Sequence, residues 1–468
     1  MGMAEPKILL IALPAQGHIN PSLQFAKKLI SYGVHVTFMT AVSGFSRMNK
    51  TPPSIQGLSY AKFSDGYDGG YDMRTVDVNH YMTEARRCGS QTLRDFLVES
   101  INNDTKFDCI VYNLMLPWVA AVAREFHIPS TLFWNQPASI FNIYYQSSKG
   151  YEEIIKNGVE DPSFLIELPG LPLLSRHDLP SFYIPGNSYA FAMSTLKEHM
   201  DVLDEEITKP KVLVNTVDAL ESEAMKAVGK YKLVGIGPLM PSAFVDGKNP
   251  NETSFGVDLF KLSKEKEAME WLNSKAESSV IYVSFGSLTV LSKEQIEELA
   301  KGLLETERPF LWVIREDGIK EGELKGLSCH EELEKQGMIV PWSSQVEVLS
   351  HQSVGCFVTH CGWNSTFESL VCGVPMVTFS QASDQPTNAK LVEDVWKTGV
   401  RLTKNEEGLV EGCEIKRCLE LVMGEGERGE KIRKNAKKLK ELTKEAAVEN
   451  GTSDKNLKDF VDELCNSC

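Results

Sequence analysis

Val354-Gly355-Cys356-Phe357-Val358-Thr359-His360-Cys361-Gly362-Trp363-Asn364-Ser365-Thr366-Phe367-Glu368 is the stretch that decides the fold. Its first six residues make a short, largely apolar run of strand length. A glycine-containing turn follows, and a helix begins there. A strand that is apolar throughout and feeds a helix through a tight turn belongs to a parallel sheet covered on both faces. Backbone N–H groups at such a helix start bind anions, phosphate above all.

The same alternation runs along nearly the whole chain. Earlier apolar runs are Ile8–Leu13, Val34–Met39, Cys109–Tyr112, Thr131–Trp134, Val212–Val214 and Leu233–Ile236. Later ones are Val280–Phe285, Phe310–Ile314, Met338–Val340 and Val374–Phe379. Helical stretches lie between them. The pattern breaks once, where Gly237-Pro238 leads into a segment with Pro241, Gly247 and Pro250. The expected division is therefore 1–240, a linker at 241–262, and 263–468, with the last helix free to pack back on the first half. Two doubly wound, Rossmann-like α/β domains facing a cleft are the expected architecture.

Bulk properties narrow the function. A chain of 468 residues suggests two or three domains. Its net charge of −15 argues against nucleic acid and anionic membranes as partners. The ten cysteines are scattered with no CxxC pair, as for free thiols in a reducing compartment. Lys7 is followed by an apolar run that Pro14 stops, too short for a membrane span and without a cleavage pattern. A cytoplasmic, monomeric chain with no membrane span is expected.

Two clusters carry candidate chemistry. The first is Pro14-Ala15-Gln16-Gly17-His18-Ile19-Asn20-Pro21. Asn20 suits an N-cap and Pro21 the first helical position. His18 is then expected in the loop after the first strand, where ligands of doubly wound sheets bind. The helix dipole should keep it neutral, as a general base must be. The alternative is a loop histidine that satisfies a backbone carbonyl.

The second cluster runs from Trp342 to Gln385. His360, Asn364 and Ser365 would flank an anion held at the helix start. Glu368 could hold the two hydroxyls of a ribose, but Ser365-x-x-Glu368 also matches a capping box. Trp342 and Trp363 read as exposed-loop indoles able to stack on a base or a sugar. His351 reads as structural. Asp384 and Gln385, after the run Val374–Phe379, suit sugar hydroxyls. Ser287, after Gly286 at the end of Val280–Phe285, offers another phosphate contact. GxGxxG, GxxxxGK[ST], Asp-x-Asp and HExxH are all absent. A dehydrogenase, a P-loop enzyme and a metal-bound diphosphate are thereby disfavoured, and no metal or other cofactor is expected.

Trp342…Gln345…His351…His360-Cys361-Gly362-Trp363-Asn364-Ser365…Glu368…Gly373-Val374-Pro375…Asp384-Gln385 closely resembles the signature box of plant family 1 UDP-dependent glycosyltransferases. Gly17-His18-Ile19-Asn20-Pro21 matches too, so the resemblance covers essentially the whole chain. Phe63-Ser64-Asp65-Gly66-Tyr67-Asp68 is similar to the branch of flavonoid, anthocyanin and carboxylic-acid (crocetin-type) O-glucosyltransferases. The resemblance implies a GT-B fold, an inverting reaction, a UDP-sugar donor (UDP-glucose as co-substrate) and a small hydrophobic acceptor. By position it implies that Trp342 stacks on uracil and that Gln345 with Ser343 contacts base or ribose. It further implies Glu368 on the ribose, and His360, Asn364, Ser365 and Ser287 on the diphosphate. Trp363, Asp384 and Gln385 fall to the transferred sugar, and His18 is the base.

Three positions depart from the family. Asn113 stands where an aspartate usually partners the histidine, and an amide orients the ring without supplying charge. Ser380 and Ala382 stand where proline and tryptophan are common. A non-catalytic UDP-sugar or metabolite-binding homologue is therefore the competing reading, favoured by Asn113 and opposed by His18, Asp384 and Gln385. The acceptor pocket is expected around Phe63–Asp72, Gln136–Tyr145 and Phe182–Met193.

Overall fold

The computed structural model describes residues 5–48, 55–71, 76–186, 190–206, 209–253, 255, 265–287, 289–315 and 329–467. Asp72, residues 187–189 of the expected acceptor region, and residues 254 and 256–262 of the expected linker lie outside the described residues. The chain divides into two compact units. The first comprises Met1–Arg176, Phe182–Leu259 and Glu445–Cys468, and the second comprises His177–Ser181 and Phe260–Lys444.

The first unit is built on seven parallel strands. They are β1 (Lys7–Ala12), β2 (His35–Ala41), β3 (Leu58–Phe63), β4 (Cys109–Asn113), β5 (Ser130–Trp134), β6 (Lys211–Val214) and β7 (Lys232–Gly235). Their order across the sheet is β3-β2-β1-β4-β5-β6-β7. β1 shows why its run is apolar throughout: Leu9 and Ile11 enter one core, while Ile8, Leu10 and Ala12 enter another on the opposite face. The helix Thr452–Ser467 brings Leu457, Phe460 and Val461 into that second core, beside Ile8, Leu10 and Val36. This is why Glu445–Cys468 belongs to the first unit and not with residues 263–444.

The second unit holds six parallel strands. They are β8 (Val280–Ser284), β9 (Phe310–Val313), β10 (Met338–Val340), β11 (Val354–Thr359), β12 (Met376–Thr378) and β13 (Gly399–Arg401), in the order β10-β9-β8-β11-β12-β13. In both sheets the winding reverses beside the unit's first strand. The reversal lies between β1 and β4 in one and between β8 and β11 in the other. Ligands of doubly wound sheets sit outside the carboxyl ends of the strands at that reversal. Asn113 ends β4, and His18 follows β1. Gly286 and Ser287 follow β8, and His360 follows β11.

β3 and β13 were not among the expected strands. β3 is an edge strand with only Phe63 fully inside, and β13 is a three-residue edge strand, so neither has an apolar run. Among the described residues no helix is long and apolar enough to cross a membrane.

Candidate functional site

The first constellation starts one turn earlier than its sequence suggests. The helix begins at Gln16, with Ala15 as N-cap, and Pro21 sits inside it. His18 is therefore on the first helical turn and not in a preceding loop. A proline inside a helix leaves the carbonyl four residues back without its donor. That carbonyl belongs to Gly17, and Asn135 Nδ2 donates to it at 3.1 Å. A side chain from after β5 thus replaces the missing N–H and permits the early helix start.

The half-buried His18 ring is lowered to about 4 by desolvation, so it is neutral at pH 7. Burial, rather than the helix dipole, is what keeps it so. Asn113 is fully buried at the end of β4. The Ser22 hydroxyl lies 2.7 Å from the His18 carbonyl oxygen and 3.3 Å from Asn113 Oδ1. His18 Nδ1 and Asn113 Nδ2 are both buried without a hydrogen-bond partner. A neutral imidazole can accept a proton, and among the described residues no carboxylate pairs with the ring to stabilise the imidazolium.

The second constellation gathers at the carboxyl ends of β8, β10, β11 and β12. The helix after β11 spans Trp363–Cys372, with Gly362 as N-cap and no side-chain cap. Ser365 and Glu368 are therefore inside the helix, and the expected capping box does not form. Instead the Gln345 amide donates to Ser365 Oγ at 2.8 Å and to Glu368 Oε2 at 2.7 Å. Burial pushes the Glu368 carboxyl up to about 7, with the Gln345 amide pulling the other way. Ser343 is buried with its hydroxyl 3.3 Å from Tyr282 Oη, and Trp342 is half-buried in the loop after β10.

The start of the helix Trp363–Cys372 presents its N–H groups and positive dipole end, with Asn364 partly exposed. The His360 ring lies beside Gly286. A Cβ at Gly286 would meet the ring's Cε1 at 2.7 Å, and its φ of +70° also favours glycine. Burial lowers His360 to about 4, the Ser284 backbone works against this, and nearby Arg315 adds to it. Ser287 is next in this loop and partly exposed. The structure thus brings His360, Gly286 and Ser287 together at the sheet's reversal point.

Trp363 corrects an expectation. It is 3% exposed and stacks on Phe367 at 4.9 Å, so its indole is core and not an exposed-loop platform. Asp384 is buried, takes a 2.6 Å hydrogen bond from Asn388 Nδ2, and is held above the usual carboxylate range by burial. Gln385 folds back: its Oε1 accepts from the N–H groups of Gln381 at 2.7 Å and Ala382 at 3.0 Å. Only the amide nitrogen of Gln385 is left to donate outward. His351 is paired with Ser353 and Asn273, as suits a structural histidine.

Three supporting residues escaped the sequence reading. Arg315 donates to the Gly286 carbonyl at 2.6 Å and to that of Thr289 at 3.3 Å, fixing the loop of Ser287. Its signal was an arginine opening the charged run Arg315-Glu316-Asp317 just after an apolar strand. Asp178 and Ser181 come from far earlier in the chain. Ser181 Oγ accepts from Ser383 N at 2.7 Å, and Asp178 pairs with Arg401 at 2.5 Å, bracing the loop that carries Asp384. No local pattern marks them.

Comparison with known proteins agrees with this fold. The family model "UDP-glucoronosyl and UDP-glucosyl transferase" matches residues 193–450. A crocetin glucosyltransferase labelled chloroplastic, from Gardenia jasminoides, is 56% identical over 97% of each chain. The phloretin 4'-O-glucosyltransferase of Malus domestica is 55% identical over 99% of this chain and 98% of its own. Among solved structures, Os79 from O. sativa in complex with UDP superposes with a TM-score of 0.85 at 32% identity, covering 98% of this chain and 100% of its own.

Proposed function

The chain belongs to the UDP-glucoronosyl and UDP-glucosyl transferase family, and we propose that it transfers glucose from UDP-glucose to small lipophilic plant metabolites with a preference for carboxylates and acidic phenols. It is a glycosyltransferase of the GT-B fold. The reaction is inverting: the acceptor oxygen attacks the anomeric carbon as UDP leaves. We assign the base to His18 in the first unit. The donor falls to Trp342, Ser343, Gln345, His360, Asn364, Ser365, Glu368, Ser287, Asp384 and Gln385 in the second, with Trp363 contributing through its backbone. The reading of a non-catalytic homologue is set aside, since relatives matching the full chain are named as glucosyltransferases.

The acceptor preference rests on one observation: residue 113, whose side chain meets the same Ser22 hydroxyl as the His18 carbonyl, is a buried amide. Proton removal from an alcohol builds an imidazolium, and a neutral dipole stabilises it less than a carboxylate would. A carboxylic acid, with a pKa of roughly 4, is already ionised at pH 7 and needs orientation, not a base. Glucose esters and glucosides of acidic hydroxyls are then favoured over aliphatic glucosides. Relatives named for crocetin, phloretin and an anthocyanidin 3-O-glucoside support a flat, lipophilic acceptor. The test compares Asn113→Asp with the natural enzyme across acceptors of graded pKa. The aspartate should raise kcat for alcohols by about 10-fold and change carboxylates least, a fraction of the roughly 10²–10⁴-fold that a positioned acid or base contributes. A uniform effect, or none, would count against the preference.

Donor choice supplies a second expectation. With its oxygen held by the Gln381 and Ala382 N–H groups, Gln385 acts through its amide nitrogen on an equatorial hydroxyl. The axial 4-hydroxyl of galactose points elsewhere. UDP-glucose should outcompete equal UDP-galactose and UDP-xylose in a mixed-donor assay. A clear win for UDP-galactose removes Gln385 from donor selection, whereas xylose shares the equatorial 4-hydroxyl of glucose and reports on the space around the C5 substituent. We extend the proposal to a monomeric chain in the cytosol; the nine free cysteines among the described residues suit a reducing compartment.

A further inference from the structure

β2 runs directly into the short helix Val42–Arg47, which lies at the ligand edge of the first unit's sheet. That helix packs on the turn ahead of His18: a Cβ at Gly44 would meet Pro14 Cβ at 2.6 Å. Arg47, on its last turn, is exposed and reaches back to the same turn. Its Nη2 donates to the Pro14 carbonyl at 3.0 Å and its Nε to the Ser43 carbonyl at 3.3 Å. Both partners are neutral. A guanidinium has five N–H groups, so both hydrogens of Nη1 and one of Nη2 remain. Among the described residues no carboxylate pairs with Arg47, whereas Arg86, Arg94, Arg401 and Arg417 each hold one.

The neighbouring acids are engaged elsewhere. Asp65, 1% exposed, accepts from Tyr81 Oη at 3.0 Å and from Tyr67 N at 2.9 Å. Asp68 accepts from Ser64 Oγ at 2.8 Å. Tyr81 stacks on Tyr71 at 4.0 Å, and the Tyr67 ring lies 5.4 Å from that of Tyr81. Burial, and then Asp65, raise the Tyr81 phenol; Arg47 acts in the opposite sense, which sets the guanidinium near this aromatic group. Lys62, with its Nζ 4.3 Å from the centre of the Phe45 ring, adds a second positive charge. On a chain of net charge −15, aromatic rings and uncommitted cations thus meet in the region expected to bind the acceptor.

We propose that Arg47 selects acceptors that carry a carboxylate away from the reacting group, gripping that carboxylate while another oxygen of the same molecule takes the sugar. This rests on the proposed function, with the acceptor bound in the first unit. Topology separates the two ends. The sheet order is β3-β2-β1-β4, with His18 following β1 and Asn113 ending β4. Arg47 follows β2, on the other side of β1, and neighbouring strands are about 4.8 Å apart. It therefore meets the far end of an acceptor whose reacting oxygen is at the reversal point. The chemistry agrees. A carboxylate held by two charge-assisted N–H bonds has its lone pairs engaged and is a poor nucleophile. The reacting oxygen is then a different one, a phenolic hydroxyl or the second acid of a dicarboxylate. The planar fork of arginine suits this grip, and a lysine would supply only the charge.

The test uses 4-hydroxybenzoate and 4-hydroxycinnamate, each beside its methyl ester, with UDP-glucose. Only the phenolic glucoside is counted, after alkali removes any sugar ester. The quantity read is the acid-to-ester ratio of kcat/KM, compared between the natural enzyme and its variants so that intrinsic differences in phenol reactivity cancel. Arg47→Gln should lower the ratio by about fivefold for at least one pair, the upper end for an exposed ion pair. Arg47→Lys should fall between the two. Raising ionic strength from about 0.05 M to about 0.5 M should shrink the natural ratio and leave that of Arg47→Gln nearly constant, since salt screens an exposed charge. An equal loss for acid and ester would mean that Arg47 only braces the Pro14 turn, and would overturn the proposal. An unchanged ratio in both pairs would overturn it too, as would a natural enzyme that glucosylates neutral phenols but neither acid. Absence of transfer to every acceptor would instead sink the proposed function, so the two failures are distinguishable.

Discussion

Replacing His18 by alanine is expected to lower kcat for a phenolic or alcoholic acceptor by about 10²-fold or more, the scale of a positioned general base. UDP binding should be unchanged, because the residues assigned to the nucleotide belong to the other unit. The effect should shrink for a carboxylate acceptor, which arrives ionised. The natural enzyme's pH profile gives an independent check. Burial lowers the ring to about 4, so the catalytically competent neutral form is present above that value and lost below it. With a hydroxyl acceptor and saturating donor, kcat should hold through neutral and mildly acidic pH and fall only near 4. An acid limb at the usual histidine pKa of about 6.5 would show that the ring is not desolvated during turnover. An alanine variant with near-normal rates on a weakly acidic phenol would remove His18 from the mechanism.

Replacing Glu368 by alanine is expected to raise the KM for UDP-glucose by about 10²-fold, the loss of hydrogen bonds to a charged acceptor worth about 1.5–3 kcal/mol each. It also strips the Gln345 amide of a 2.7 Å partner. Because burial holds the carboxyl up to about 7, the free enzyme carries a mixture of both forms at neutral pH. Ribose hydroxyls donate to the ionised form, so donor binding should strengthen above pH 7 and weaken below it. UDP-glucose has no terminal phosphate monoester to titrate in this range, which makes the pH dependence attributable to the protein. Glu368→Gln keeps one accepting oxygen and should lose less affinity than alanine. Its KM should no longer vary around pH 7, and a persistent pH dependence in that variant would assign the titration to another group.

The central strands were legible because they are buried on both faces. The run Ile8–Leu13 is apolar throughout since alternate residues of β1 serve two cores. The edge strands β3 and β13 lack that signature and were invisible. The start of the first helix was misread for a tertiary reason. Asn20-Pro21 is a sound local start signal, but Asn135 supplies the donor that Pro21 lacks, so the helix reaches back to Gln16. His18 was still found, because it lies at the carboxyl end of β1 under either reading. Composition of a loop proved a poor guide to exposure at Trp363, where Phe367 one turn later takes the indole into the core. Glu368 shows the same limit, since only the folded chain brings Gln345 to it from 23 residues away. Asp178 and Ser181 carry no motif at all. Their roles come from contacts made at long range.

The most direct measurement is UDP release from UDP-glucose by the purified chain, with and without a panel of lipophilic phenols and carboxylic acids, followed by mass analysis of the acceptor. Glucosyl transfer to such an acceptor requires release to depend on it, with one hexose added to the acceptor for each UDP formed and the fastest turnover among the carboxylates and acidic phenols. Tight UDP binding with no acceptor-dependent release across the panel, or release without a hexosylated product, would contradict it.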